Sequence, residues 1–207
     1  PPPALINANA VGYYNPASED VATESSPPGE GFLSRICIDW QNEALQGQKH
    51  GSRVVIMRIA PPLSREGGVL ANMLTPFRLG LGGRLGNGRQ PFPWIHIQDF
   101  LRAVEFVAEQ RSVSGPVNLC APQIVTNAEF TKALARALKR PALLPVPASL
   151  LKIAFGELAQ MLLQGPKVKP DALLLHGFQF RFPELEGALR DLFSAKGSYR
   201  EGDSAAE

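Results

Sequence analysis

Residues 53–60, RVVIMRIA, form an almost continuously apolar run that is β-branched at its start. Strands that are buried on both faces of a parallel sheet have this composition, so we expect a central parallel strand here. Residues 4–11 form a second short apolar run, whose small and polar end is typical of a buried strand that meets a ligand. Between the two runs, a four-residue repeat predicts a helix with an apolar face made of Phe32, Ile36, Trp40 and Ala44. A helix followed by a buried strand is half of a βαβ unit, so both strands should lie in one parallel sheet.

The other elements are predicted from proline, glycine and apolar spacing. Residues 12–30 carry prolines, tyrosines and carboxylates and predict a long exposed loop. Short strands are expected at 94–97, 117–120 and 178–182, the last from the alternation of Phe178, Phe180 and Phe182 with polar residues. Helices are expected at 73–80, at 127–139, at 149–163 as a buried helix, and after Pro183, where Leu185, Leu189 and Leu192 should point inward.

Two helix starts carry cap signals. Thr126 and Glu129 match a capping box for the helix at 127–139. Asp99 is placed to cap another helix, whose buried face should carry Leu101, Val104 and Val107.

Composition limits the function classes. The 207 residues suffice for one domain with a small appendage, and a hydrophobic fraction of 44% is typical of soluble globular proteins. Basic and acidic residues are interspersed and the net charge is +2, so we expect no nucleic-acid partner. Two cysteines without metal-ligand spacing predict no metal site and a reducing, cytoplasmic compartment. No apolar run is long enough to span a bilayer, so no membrane partner is expected.

Five stretches carry a family resemblance, most specifically the run from Phe77 to Asp99. They are NANAVGYYN, FLSRICIDW, the run from Val54 to Asp99, GPVNLCAPQIVTNAEF and GFQFRFPELEGAL. Together they resemble the epimerase-like, sugar-nucleotide epimerase-related family of extended short-chain dehydrogenases/reductases over nearly all of residues 4–193. The resemblance implies a Rossmann-like NAD(P)-binding domain, followed by the family's small C-terminal domain of unknown function.

Such proteins begin with a Gly-rich βα turn that receives the dinucleotide pyrophosphate. The sequence holds no G-x-x-G-x-x-G after an N-terminal strand, and the Gly-rich stretch at 80–88 lacks a preceding buried strand. We therefore expect an α/β fold with a partial doubly wound, Rossmann-like parallel sheet that lacks its N-terminal βα units, and a small α/β substrate-side C-terminal domain. The expected divisions are a Rossmann-like half at 1–125 with a substrate loop at 61–98, a C-terminal domain at 126–194 and a disordered tail at 195–207.

The expected loss of the first βα units leaves a strand at the sheet edge with unpaired N–H and C=O groups. The expected partners are therefore a small-molecule ligand and either the missing N-terminal half or a second copy that pairs with the exposed edge.

Short-chain dehydrogenases use a Tyr-x-x-x-Lys pair and a serine to move protons while a hydride passes to or from the nicotinamide. The resemblance places Leu33 and Cys37 at the tyrosine and lysine positions and Asn9 at the serine position. None of the three is an ionisable group of the required type, so the catalytic residues stay unassigned. Leu33 and Cys37 should form an apolar wall of the cofactor pocket, and Asn9 should make a polar contact to the ligand.

The expected cofactor is NADP(H), bound beyond the carboxyl ends of the strands. Arg58 lies at such an end, although a structural ion pair with a carboxylate explains it equally well. The predicted cofactor-binding residues are Asn7, Ala8, Asn9, Leu33, Cys37, Arg58, Ala60 and Pro61.

In the epimerases that this sequence resembles, an arginine before W-x-x-x-x-D clamps the substrate pyrophosphate. Phe92 stands at that position, which argues against a nucleotide-sugar substrate, although Arg84 and Arg89 nearby could bind an anion. Trp94, His96, Tyr13 and Tyr14 are better explained as pocket wall or packing than as metal ligands or proton donors. The predicted substrate-pocket residues are Tyr13, Tyr14, Phe77, Arg84, Arg89, Phe92, Trp94 and His96.

Three functions stay open from sequence alone. The first is an NADP(H)-binding, epimerase-like oxidoreductase whose cofactor site is completed by a segment outside these residues. The second is a non-catalytic, nucleotide-dependent binding or regulatory protein, since relatives are sometimes labelled cell-division-inhibitor-like. The third is an inactive fragment.

Overall fold

The computed structural model describes residues 2–156, 159 and 163–194, so the predicted tail at 195–207 and part of the predicted helix at 149–163 lie outside the described residues. Its centre is a parallel sheet of β1 (Ala4–Ala10), β3 (Arg53–Ile59) and β6 (Gly115–Leu119), in the order β1-β3-β6. The parallel pairing expected between 4–11 and 53–60 is confirmed, with β3 in the middle and β1 at an edge.

The apolar run of β3 explains its central position. Val54, Val55 and Ile56 are almost completely buried, because helices cover both faces of the strand. At its amino end, the guanidinium of Arg53 donates to the carbonyls of Val107, Ala108 and Val113. The guanidinium satisfies carbonyls that have no partner in the last turn of a helix, and it thereby attaches the strand to that helix.

The remaining elements surround this sheet. The helices are α1 (Phe32–Leu45), α2 (Gly68–Arg78), α3 (Ile97–Glu109), α4 (Asn127–Leu138), α5 (Ala148–Phe155), α6 (Asp171–Leu175) and α7 (Leu185–Phe193). Short 3-10 helices cover Val11–Tyr13 and Gln46–His50. Two small parallel pairs join β2 (Val21–Ala22) to β7 (Lys167–Val168), and β4 (Pro62–Leu63) to β5 (Ile95–His96).

The predicted capping box of α4 is confirmed. The Thr126 hydroxyl accepts from the Glu129 amide at 3.2 Å, and the Glu129 carboxylate accepts from the Thr126 amide at 2.7 Å. These bonds lower the pKa of Glu129 and satisfy two orphan donors of the helix. Phe130 and Leu134 of this helix are fully buried.

The predicted buried face of α1 is confirmed at Ala44 and wrong at Phe32 and Trp40. Phe32 and Trp40 are 74% and 55% exposed, while Ser34, Cys37 and Ala44 are buried. The buried stripe is made of small side chains, which allows the helix to lie close to β1 and β3. The two aromatic members of the four-residue repeat therefore lie on the outer side of the helix.

Three further local predictions need correction. Helix α2 begins at Gly68, five residues earlier than expected, and α3 buries Asp99, Ala103 and Val107 but leaves Leu101 exposed. Helix α5 is not a buried helix, since Leu150 and Ile153 face solvent.

Residues 178–182 do not form the predicted strand. Phe178 is buried and Gln179 is exposed, so the alternation of burial is present without a ladder. The reason lies in Asp99, whose carboxylate accepts the backbone N–H groups of Arg181 and Phe182 that a neighbouring strand would need. The helix that follows Pro183 does bury the predicted leucines Leu185, Leu189 and Leu192.

The core has two main parts. One packs β3 and β6 against α3, and the other joins α2, α4 and α7 through residues such as Leu74, Phe130 and Leu189. The α/β architecture with a parallel sheet is as expected, whereas the domain division at residue 125 stays a prediction. Among the described residues, no helix has the length and apolarity needed to cross a bilayer.

Candidate functional site

Three polar side chains cross the sheet in one row near the strand ends. Asn9 of β1 pairs in register with Arg58 of β3, which pairs with Asn118 of β6. All three are buried, at 4% exposure or less. Buried polar groups need hydrogen-bond partners, so this row fixes the surroundings of the strand ends.

Arg58 makes its contacts with neutral groups. Its guanidinium donates to the Tyr14 hydroxyl at 2.7 Å, to the Gln41 side chain at 2.8 Å and to the Glu24 carbonyl at 3.2 Å. Its central carbon lies 3.5 Å from the centroid of the Tyr13 ring, in cation–π geometry. The ion pair between Arg58 and a carboxylate that was considered from sequence is therefore absent from these contacts. Of the nitrogens of Arg58, only Nε lacks a hydrogen-bond partner among the described residues.

The network continues from Tyr14 to Asn118 and Glu24. The Tyr14 hydroxyl donates to the Asn118 side-chain oxygen at 2.7 Å. One oxygen of Glu24 accepts from the backbone N–H groups of Asn118 at 2.9 Å and Ala172 at 3.1 Å. Residues 12–30 are thus tied to β3, β6 and α6, so the prediction of a simply exposed loop was wrong.

The pKa shifts of Tyr14 and Glu24 indicate that this network has a structural role. Burial raises the pKa of Tyr14 to about 12, although the neighbouring Arg58 lowers it in part. Burial also raises the pKa of Glu24. A phenol with both hydrogen-bonding directions in use and this pKa is a poor proton donor at neutral pH, in agreement with the packing role favoured for Tyr14.

Asn9, Leu33 and Cys37 form one wall next to this row. The Asn9 amide donates to the Cys37 carbonyl at 2.8 Å, and its oxygen accepts from the Ala10 amide at 2.8 Å. Cys37 is buried, which raises its thiol pKa, and Leu33 is 36% exposed. A Cβ added to Gly12 would lie 3.6 Å from Leu33 and 4.0 Å from the Cys37 sulfur, which are ordinary van der Waals distances, so these two apolar side chains lie next to Gly12.

The other predicted cofactor residues differ in accessibility. Ala8 is exposed and Pro61 is half-buried, whereas Ala60 is fully buried. The side-chain oxygen of Asn7 is buried without a partner among the described residues. These predicted cofactor residues therefore offer a small, apolar surface with one unpaired hydrogen-bond acceptor, which suits an uncharged ring and its amide. They offer no Gly-rich turn at a helix N-terminus to bind a pyrophosphate.

The predicted substrate residues fall into separate places. Tyr13 and Tyr14 lie at the strand ends, while Phe77, Phe92 and Trp94 pack in the α2–α4–α7 core. The Phe92 ring lies 4.1 Å from that of Phe130. Arg84 and Arg89 are exposed on the glycine-rich loop. A contact between these residues and a substrate stays a prediction.

His96 and Asp99 are structural. The Nδ1 atom of His96 accepts from the Gln98 amide at 3.1 Å, so His96, and not Asp99, caps α3. Its Nε2 lies 3.4 Å from the Asp191 carboxylate, without hydrogen-bond geometry, and burial lowers its pKa. Asp99 is fully buried and accepts from Arg102, Arg181 and Phe182. The described residues contain no group of three potential metal ligands.

Sequence reasoning missed Glu24, Gln41 and Asn118. For Asn118 a signal existed, because an amide inside the apolar strand VNLC needs a buried partner. Glu24 and Gln41 carried no comparable signal, since each lies in a polar stretch.

The sequence and the fold match known proteins. A family model described as the NAD dependent epimerase/dehydratase family covers residues 3–120, and one described as a domain of unknown function (DUF1731) covers 146–192. The chain belongs to the NAD-dependent epimerase/dehydratase family.

Curated relatives match nearly the whole chain. Epimerase family protein MT2273 of Mycobacterium tuberculosis is 46% identical over 186 residues, which is 89% of this chain and 62% of the relative. Epimerase family protein SDR39U1 of Homo sapiens is 42% identical over 195 residues, 93% of this chain and 66% of the relative. The chain thus spans about three fifths to two thirds of the length of the curated relatives it matches.

Solved structures of related proteins have a similar fold. A crystal structure of human epimerase family protein SDR39U1 with NADPH has a TM-score of 0.86 and 39% identity, covering 93% of this chain and 66% of that chain. The nucleoside-diphosphate sugar epimerase from Corynebacterium glutamicum has a TM-score of 0.74 and 29% identity, covering 90% and 36%.

Proposed function

We propose that these residues form the nicotinamide and substrate side of an NADP(H)-binding, epimerase-like oxidoreductase. The observation that carries the proposal is the structural match to human SDR39U1, solved with NADPH, over 93% of this chain. The chemistry of the strand ends supports it, because small and apolar residues and the free Asn7 oxygen accept an uncharged ring better than a charged group.

Each wall residue has a defined task in this proposal. Leu33 and Cys37 exclude water from one side of the ring, and Asn9 holds the Cys37 carbonyl so that this wall does not shift. The Asn7 oxygen accepts a hydrogen bond from the ligand amide. When bound, NADPH supplies the hydride; no side chain in the described wall is assigned the proton transfer.

Binding of the pyrophosphate requires a Gly-rich turn that residues 1–207 do not contain. We propose that a further segment or polypeptide supplies it next to β1. Strand β1 is suited to this, since its outer edge carries no paired strand in the sheet and Ala8 is exposed on it.

The test uses the protein expressed from its complete coding sequence. NADPH is titrated by calorimetry, and NADPH oxidation is then followed by absorbance against a panel of aldehydes and ketones. Leu33→Glu places a charge in the proposed wall and should weaken NADPH binding at least about tenfold, or ~1.4 kcal/mol. Leu175→Glu, at an exposed leucine on α6, is the matched control and should bind like the parent protein. Failure to bind NADPH would refute the proposal.

A second function is favoured by a specific observation. Tyr14 is held by Arg58 and Asn118, and the family resemblance places Leu33 and Cys37 at the Tyr and Lys positions of the catalytic pair. A nucleotide-dependent binding or regulatory protein would need the pocket without the proton transfer. Saturable NADPH binding with no oxidation of any carbonyl would favour this function over the first.

We also propose that copies of residues 1–207 associate with one another when no other segment covers β1. Strand β1 is short and lacks the charged side chains that protect edge strands. Ala8→Lys should reduce association in sedimentation velocity, whereas Ala17→Lys, at an exposed alanine in the loop, should not. A sharp monomer for the parent chain would contradict this.

A further inference from the structure

Basic and acidic residues, interspersed over most of the chain, are not interspersed in two parts of the sequence. Residues 67–98 and 130–156 together hold eight of the chain's 21 lysines and arginines and none of its 19 carboxylates. The net charge of +2 conceals this, because the rest of the chain is acidic. Such clustering creates a local positive field, which a whole-chain average does not reveal.

The fold brings the two basic segments side by side. Gly80 lies against the ring of Pro141, with 3.8 Å between a Cβ placed on the glycine and Cγ of the proline. The Val146 amide donates to the Arg84 carbonyl at 2.9 Å, and Leu85 forms a bridge with Val146. The loop after α2 and the loop after α4 therefore form one continuous surface.

Aliphatic side chains protrude from this surface. Leu79 and Leu81 on the first loop and Leu143 and Leu144 on the second are all more than half exposed, Leu143 at 81%. Helix α5 continues from the second loop and exposes Leu150 and Ile153, the latter at 83%. We call these six residues, together with the exposed cations Arg78, Arg84, Lys132, Arg136, Lys139 and Arg140, the leucine–cation patch.

The cations of the leucine–cation patch are largely available. Arg136 pairs with Glu186 at 2.9 Å. In the part of the chain that the structure describes, no ion pair is made by the other five cations. Lys132, Lys139 and Arg140 line one hollow with Leu143, so charge and apolar surface are directly adjacent.

We propose that the leucine–cation patch binds the surface of an anionic phospholipid membrane. Leucines set among lysines and arginines allow shallow insertion between head groups with attraction to anionic lipids. The cores of protein interfaces, by contrast, are enriched in aromatic residues, and the exposed apolar members of this patch are all aliphatic. The expectation of no membrane partner rested on the lack of a membrane span, which peripheral binding does not require.

The test is flotation of the purified chain with vesicles, since aggregated protein sinks while vesicle-bound protein floats. Vesicles of phosphatidylcholine and phosphatidylserine in equal amounts should carry the chain upward, and vesicles of phosphatidylcholine alone should not. Binding should weaken as salt concentration rises, because the attraction is electrostatic.

Two variants and one control locate the surface. Lys139→Asn with Arg140→Gln should lower the partition coefficient about thirty-fold, which corresponds to ~1 kcal/mol for each removed cation. Asparagine is chosen because Lys139 has a left-handed backbone with φ of 52°, which asparagine tolerates. Leu79→Ser with Leu143→Ser should also reduce binding, although it changes no charge.

The matched control removes two exposed cations elsewhere, Lys49→Gln with Arg111→Gln, and should bind within a few-fold of the parent chain. Three results would overturn the proposal. One is absence of flotation with anionic vesicles. Another is an equal loss in the control and the patch variants. The third is binding of the patch to duplex DNA or to an acidic peptide without binding to vesicles.

Discussion

Replacement of Asp99 by asparagine tests how the end of the chain is attached to α3. The buried carboxylate accepts three hydrogen bonds, from Arg102 at 2.9 Å and from the backbone amides of Arg181 at 2.9 Å and Phe182 at 2.8 Å. Asparagine keeps the shape but removes the charge and replaces one oxygen by an NH2 group. With its oxygen at the position that accepts from Arg102 and Arg181, the Phe182 amide loses its acceptor and the other two bonds lose their charge assistance. A charge-assisted bond contributes about 1.5–3 kcal/mol and a neutral one about 0.5–1.5 kcal/mol, so one lost and two weakened bonds should lower the unfolding free energy by about 3–5 kcal/mol.

Urea denaturation followed by circular dichroism measures this loss, with the midpoint shifting to lower urea at an unchanged slope. Glu186→Gln is the control, because its ion pair with Arg136 is exposed on both sides and should contribute at most about 1 kcal/mol. A loss below about 1 kcal/mol for Asp99→Asn would refute the reasoning that this carboxylate, and not strand pairing, holds residues 178–182.

Three other predictions concern single side chains. Burial lowers the pKa of His96, so the unfolded state binds more protons and the stability of the protein should fall as pH drops below about 6.5. His96→Asn keeps a helix cap and should make the melting temperature less dependent on pH. His50→Gln is the control and should leave this pH dependence unchanged. Tyr14→Phe removes the hydroxyl between Arg58 and Asn118 and should cost about 1–3 kcal/mol by urea denaturation, and a neutral result would mean that the network contributes nothing to stability. Thr126→Ala should cost about 1 kcal/mol in the same assay, and an unchanged midpoint would argue against the capping box.

Patterns confined to one element were predicted well from sequence. The apolar run at 53–60 identified the central strand because its whole surface is buried, and the Thr126–Glu129 spacing identified the start of α4. Both signals depend only on neighbouring residues and on the presence of a core. The parallel pairing of β1 and β3 followed from the same kind of reasoning.

Features set by contacts between distant segments were not predictable in the same way. The apolar stripe of Phe32 and Trp40 indicated the wrong face of α1, because close packing against the sheet selects small side chains over large ones. The strand expected at 178–182 is absent because Asp99, some eighty residues earlier, takes its backbone donors. No local pattern shows which carboxylate will lie opposite which amide.

The same distinction between local and long-range features applies to the candidate site. Asn9 and Arg58 were identified by their positions at strand ends, but Glu24 and Gln41 join them through a loop and a helix face that the sequence does not connect. The basic surface around Lys139 was hidden for a related reason, since charges from two separated segments add up only in the folded chain.

Titration of NADPH into these 207 residues alone, beside the protein made from its complete coding sequence, tests the proposed division of the cofactor site most directly. The longer protein should bind saturably, and these residues alone should show no saturable binding, because the proposal assigns only the ring side of the site to the strand ends. Equally tight binding by both would contradict the account, and so would binding by neither.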